Sequence, residues 1–268
     1  MSITSDKKII EIPDNLLQKI LYPVDEKGAP KVPVGLALSL AALLGFVIFA
    51  YKSYAHIFSF TVGLDYFEPE FQTYWMSWFW AQMILIPLIG LIGAPLIWFT
   101  RDKNVLESTT PQQELSHYHL IFAIIAAVSF FAVCAMSLFA EADAAWHQVT
   151  IRDTDFTPTH IQLFYGLIPA GAMGIILATI WIHTRMPQFI NRVSIPLIVV
   201  ASAPILMMPN LGYNEWGHTF FYAEELFAAP IHYGFVLMGW GFFGISGFII
   251  QCLQRVRVLT KISPQTIN

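Results

Sequence analysis

Apolar and polar positions fall along this chain in long blocks, not in the short amphipathic repeats of a soluble protein. Six apolar runs stand out, near residues 33–55, 74–99, 118–140, 160–183, 194–212 and 228–252. A helix needs about 20 residues to cross the hydrocarbon core of a bilayer, so the pattern predicts an all-α, polytopic membrane helix bundle of about six transmembrane helices. Pro196, Pro204 and Pro209 interrupt the fifth run, and a neighbouring helix or water must satisfy the backbone groups they free. Ahead of the runs, Ile9, Ile12, Leu16 and Ile20 recur at helical spacing among polar residues. They predict an N-terminal interfacial helix over 9–21, lying on the membrane surface or against a partner subunit. Pro23, Gly28, Pro30 and Pro33 then break the chain. The expected organisation is an N-terminal segment over 1–32, a transmembrane helical domain over 33–252 and a tail over 253–268.

Composition agrees: 56% of the 268 residues are hydrophobic and 12% charged, outside the range of soluble domains. Charge placement adds an orientation. Lys7, Lys8, Lys19, Lys27, Lys31, Arg101, Lys103, Arg185, Arg192, Arg255, Arg257 and Lys261 fall on the N-terminus, the second and fourth loops and the C-terminus, whereas Lys52 and Arg152 stand on the other side. By the positive-inside rule both termini are cytoplasmic. The basic residues are too dispersed for nucleic acid, and the net charge of −4 identifies no partner. Cys134 and Cys252 fall inside predicted spans and read as packing residues. Residues 1–32 lack an early apolar region, so no cleavable signal peptide is expected.

Candidate chemistry concentrates between the third and fourth runs, in FAEADAAWHQVTIRDTDFTPTHIQLFY, residues 139–165. Asp143 and His147 are four residues apart, so a helix continuing from the third run carries them on one face. Thr157 is a suitable N-cap and Pro158 a suitable first helical residue, which places His160 in the first turn of the next helix. The arrangement recurs in NEWGHTFFYAEELFAAPIH, residues 214–232: Asn214 and His218 repeat the spacing, and His232 follows Pro230 as His160 follows Pro158. Ionisable groups at the end of a span need a partner, a cavity or a function, and two imidazoles with one oxygen ligand suit copper or zinc, with iron an option. The partial positive charge of a helix N-terminus favours neutral imidazole at His160 and His232, the form a metal requires. Neutral Asn214 should hold a divalent ion less tightly than anionic Asp143.

Other polar residues read as structural. Asp65, Glu68 and Glu70 form an acidic rim, with Phe67, Phe71, Tyr74 and Trp75 anchored at the interface. Thr110, Pro111 and Glu114 mark the start of the third span. His117, His119 and His183 are interfacial, His56 has no partner at ligand spacing, and Arg152, Asp153 and Asp155 shape the third loop or orient the imidazoles. Glu224 and Glu225 follow His218 and precede His232 in the second set.

The segments WHQVTIRDTDFTPTH (146–160), PNLGYNEWGHTFFYAEELFAAPIHYGF (209–235) and GLDYFEPEF (63–71) resemble the C subunit of the copper membrane monooxygenases, the family of particulate methane, ammonia and short-alkane monooxygenases. The resemblance implies a trimer of αβγ protomers with A and B subunits as partners, in a prokaryotic inner or intracytoplasmic membrane. It implies copper, with zinc an option at one set, on Asp143, His147, His160 and on Asn214, His218, His232, and these six residues as the catalytic positions. The substrates implied are O2 with methane, ammonia or a short alkane, and a quinol or other reductant supplies electrons. Ala142 and Tyr213 depart from the usual family pattern without removing a ligand, which bears on substrate choice. Two rival classes remain from the residues themselves. A proton- or cation-coupled transporter would also use intramembrane Asp, Asn and His, but every candidate group here lies at one face, predicted external. A b-type haem protein would use the histidines as axial ligands and show a Soret band.

Overall fold

Long apolar runs in lipid or in a bundle satisfy their backbone internally as helices, and that is what the chain does. The computed structural model describes residues 15–149, 156–203 and 224–262, with side chains outside 136, 140–149, 224–239, 242 and 262. The elements are α1 Leu16–Leu21, α2 Val34–Val62, α3 Pro69–Phe99, α4 Val105–Ser108, α5 Pro111–Val149, α6 Pro158–Arg185, α7 over 195–203 and α8 Glu224–Ile262. No strand occurs among the described residues; Val24 and Pro30 make one isolated bridge, across a turn in which Asp25 Oδ1 accepts from the N–H groups of Lys27 and Ala29. Gly28 closes that turn at φ 78°, a conformation suited to glycine.

Among the described residues four helices are long and apolar enough to cross a membrane: Val34–Val62, Pro69–Phe99, Pro111–Phe139 and Pro158–Arg185. The chain is therefore an all-helical integral membrane protein. The fifth predicted run is described as helix over 195–203, and its remainder lies outside the described residues. The sixth coincides with α8. Of the predicted interfacial helix, Leu16–Leu21 is helical, capped by Asn15 Oδ1 on Leu17 N; residues 9–14 lie outside the described residues.

Helix α2 packs against α5, α3 against α6, and α8 against α5. Three apolar clusters fill the contacts. One joins α5, α6, α7 and α8 through Tyr118, Ile182, Met186, Leu197, Phe248 and Cys252. A second joins α2, α5 and α6 through Ile48, Ala135, Phe139, Leu163 and Leu167. The third joins α3 and α6 through Phe71, Trp75, Met76, Phe79 and Ile161. Cys252 is buried and Cys134 packs beside the second cluster, both as free thiols, as the sequence predicted.

Several expectations change. Phe71 and Trp75 are fully buried within the bundle instead of exposed on its surface, packed in one cluster with Ile161 at the π-helical turn Gln72–Met76. Phe67 and Tyr74 remain exposed. Gln113, not Glu114, completes the capping box: Thr110 Oγ1 accepts from Gln113 N at 3.2 Å and Gln113 Oε1 from Thr110 N at 2.9 Å. Glu114 instead meets Arg255 of α8 in a two-pronged ion pair at 2.8 and 2.7 Å. Helix α8 already runs from Glu224, so Pro230 and His232 lie in its interior. The terminal dipole fades within one turn and does not act on His232 as expected.

Candidate metal-binding segment

The apolar run of α5 gives way to Glu141 and Asp143 in sequence, but the helix continues unbroken to Val149. At about 1.5 Å per residue its 39 residues extend about 58 Å, well beyond a hydrocarbon core of about 30 Å. Asp143 and His147 sit in this extension, one turn apart on one face. The segment that follows behaves as its residue types dictate. Thr157 is the N-cap, its Oγ1 accepting from His160 N at 3.2 Å, and Pro158 occupies the first turn. His160 is thereby fixed in the first turn of α6, only 1% exposed, with its ring 5.0 Å from that of Phe164. The turn Pro158–Gln162 packs against α2, α3 and α5.

Burying polar groups in an apolar bundle is costly unless hydrogen bonds compensate. Three side chains provide them here. Gln162, fully buried, donates from Nε2 to the Tyr51 carbonyl at 2.9 Å. Gln82 donates from Nε2 to the Ile161 carbonyl at 3.0 Å and accepts from the Tyr51 hydroxyl at 3.1 Å. Helices α2, α3 and α6 are thus tied together by amide groups on either side of Ile161, next to His160. A second π-helical turn, Leu163–Leu167, follows at once. It precedes Pro169, whose missing N–H and ring would disrupt a regular α-helix. Gly166 in this turn abuts Gln82: a Cβ there would lie 1.9 Å from Gln82 Oε1. At the other end of the segment Gly63 admits Pro158, since a Cβ would meet Pro158 Cγ at 2.8 Å and the Ser59 carbonyl at 2.6 Å. π-Turns inside helices occur often at functional sites, and two here face one segment.

Lys52, which in the sequence stands out by charge placement alone, donates from Nζ to the Leu138 carbonyl at 3.1 Å and lies 5.5 Å from the Phe139 ring centroid. It therefore joins α2 to α5 about one turn before Asp143. Sequence reasoning missed Gln82, Gln162 and Lys52 as neighbours of the candidate site. The available signal was a pair of uncharged amides and one cation within otherwise apolar runs.

His183 has the structural role expected of it: Nδ1 lies 2.9 Å from the Thr179 carbonyl, and Nε2 accepts from Ser194 N at 3.3 Å. His117 stacks edge-on against Tyr22 and Trp181. Asn214, His218, Arg152, Asp153 and Asp155 lie outside the described residues, and of the second set α8 places only His232. No cluster of three His, Cys, Asp or Glu side chains occurs among the described residues, whose described side chains do not include those of Asp143, His147 and His232.

The donor chemistry at the first set fits a transition metal. A carboxylate and an imidazole at i,i+4 on one helix, with a buried imidazole on a segment packed against that helix, supply the oxygen and nitrogen ligands copper or zinc takes. The sequence model of one protein family, that of the C subunit of ammonia monooxygenase/methane monooxygenase, matches residues 32–263. No curated protein matches the chain.

Proposed function

Since this chain belongs to the family of ammonia monooxygenase/methane monooxygenase C subunits, we propose that it is the C subunit of a copper-dependent membrane monooxygenase, holding metal on Asp143, His147 and His160. Membership makes it a membrane-embedded subunit of a multisubunit monooxygenase. Our reading adds that its partners are A and B subunits in a trimer of αβγ protomers. It adds six spans, completed by the fifth run and α8, with termini in the cytoplasm and both ligand sets toward the external face. The observation that carries the metal assignment is the unbroken course of α5 to Val149 beside the turn that fixes buried His160.

Bound copper would supply the one-electron chemistry needed to reduce O2 and insert one oxygen atom into methane, ammonia or a short alkane, with an external reductant such as a quinol as electron source. The chain's own residues do the rest. Thr157 and Pro158 set the first turn, Gln162 and Gln82 lock it to α2 and α3, and Phe164 and Phe139 pack in the apolar cluster beside it. Asn214, His218 and His232 form a second, weaker set because Asn214 brings no charge.

Metal analysis and turnover of the whole complex, purified in lipid, test this. His147→Ala should remove one metal equivalent and abolish turnover, since an ion deprived of one of three protein ligands is under-coordinated. His218→Ala should lose weakly held metal, keep the first equivalent and still cost activity that excess copper does not restore. Unchanged metal content in both variants would sink the assignment.

A further inference from the structure

A groove of about 660 Å³ lies between the ends of α3 and α6 remote from His160. Ala94, Trp98 and Phe99 form one wall, Thr179 and Ile180 the other, and Val193 closes the end. The surface is almost wholly apolar, and the size falls in the range of about 300–1,000 Å³ usual for ligand sites. Trp98, Phe99 and Val193 are 49%, 81% and 61% exposed, so the groove opens on the flank of the bundle.

Two guanidinium groups stand at its polar end. Arg185 donates from Nη1 to the Ile97 carbonyl and Thr184 Oγ1, both at 3.0 Å, and from Nη2 to Thr100 Oγ1 at 2.8 Å. Arg101 lies with Cζ 4.0 Å from the Trp98 ring centroid and donates to the Trp98 carbonyl at 2.5 Å. Both are held by neutral groups, and among the described residues neither meets a carboxylate. Asp102, next in sequence, accepts from Asn104 N and the Ser108 hydroxyl instead. Both ring nitrogens of His183, on the groove wall, are engaged by Thr179 and Ser194.

Fixed cations that meet no carboxylate among the described residues, above an apolar groove at the end of two spans, match an amphiphile with a negative head. A neutral quinol would fill the groove and leave both guanidiniums uncompensated. Phosphate accepts charge-assisted hydrogen bonds from arginine, and basic pockets between transmembrane helices bind anionic headgroups. We infer that this groove binds one acyl chain of an anionic phospholipid whose phosphate is held by Arg101 and Arg185.

The test uses the intact complex. Native mass spectrometry with added phosphatidylglycerol or phosphatidylcholine should show tighter binding of phosphatidylglycerol. Each arginine near a membrane surface contributes about a fivefold factor, so Arg101→Gln with Arg185→Gln should weaken phosphatidylglycerol about thirtyfold and leave phosphatidylcholine nearly unchanged. Ala94→Phe should displace the lipid with both guanidiniums intact. Photoactivatable phosphatidylglycerol on the wild-type complex should label peptides containing residues 94–99 or 179–184, and millimolar inorganic phosphate should not compete. Equal retention of the two lipids, labelling confined to other segments, competition by free phosphate, or cross-linking of a cysteine at position 94 to another subunit would each overturn the inference.

Discussion

Replacing Gly166 by alanine tests whether the amide lock organises the His160 segment. The new Cβ would sit 1.9 Å from Gln82 Oε1 and 3.3 Å from the Ile161 carbonyl oxygen. The side-chain end must yield, and yielding breaks its bonds to the Tyr51 hydroxyl and the Ile161 carbonyl. Two buried hydrogen bonds contribute about 2 kcal/mol together, and overpacking adds about 1–3 kcal/mol. The better helix propensity of alanine returns about 1 kcal/mol, leaving a cost of about 2–4 kcal/mol. Midpoints of thermal inactivation of the complex, compared at one heating rate so that irreversible steps affect both proteins alike, should fall by about 4–16 °C. Hydrogen exchange of Ile161 and Gln162 should quicken, since their turn loses its tie to α3. Gln82→Ala removes the obstacle, so adding Gly166→Ala to it should cost little more than Gln82→Ala alone. Penalties that add to within about 0.5 kcal/mol would refute the argument, as would a neutral Gly166→Ala.

Three further outcomes follow from particular contacts. Glu114→Ala leaves Arg255 without its partner; the cost of about 3–5 kcal/mol for a buried pair falls to about 2 kcal/mol because the arginine side chain is 34% exposed, and pairing it with Arg255→Met should recover most of the lost heat stability. Gly63→Ala meets the Ser59 backbone, which cannot swing aside, so it should loosen Pro158 and speed exchange at His160 N more than at α3 amides. The Ser108 hydroxyl, then Asn104 N–H, holds the Asp102 carboxyl below the usual carboxylate range. Its contribution to the second loop is therefore complete above about pH 3.9 and lost as pH falls through the lower folded-state value. Protection of the Asn104 amide, its exchange measured against the intrinsic rate at each pH, should stay flat from neutral pH to about 4 and fall below it, and Ser108→Ala should move that fall upward; a fall centred near neutral pH would contradict it.

Much of this protein is determined locally and is therefore legible in the sequence. Helical spans follow from run length, because lipid leaves the backbone no other partner. Thr157, Pro158 and the first-turn place of His160 follow from cap chemistry that involves neighbours alone. The i,i+4 relation of Asp143 and His147 needs only the helix to continue, and α5 does so to Val149. What depends on which helices meet was not legible. Glu114 reads as a capping residue until α8 brings Arg255 beside it. Phe71 and Trp75 read as exposed interfacial aromatics until α3 lies against α6 and buries them in one cluster with Ile161. Gln82, 79 residues from Ile161 in sequence, carries no local sign of its role, because its hydrogen bonds exist only once α3 lies against α6. Even Gly166 gains its meaning there: the missing side chain is required by a neighbour's amide, and only packing decides which neighbour that is.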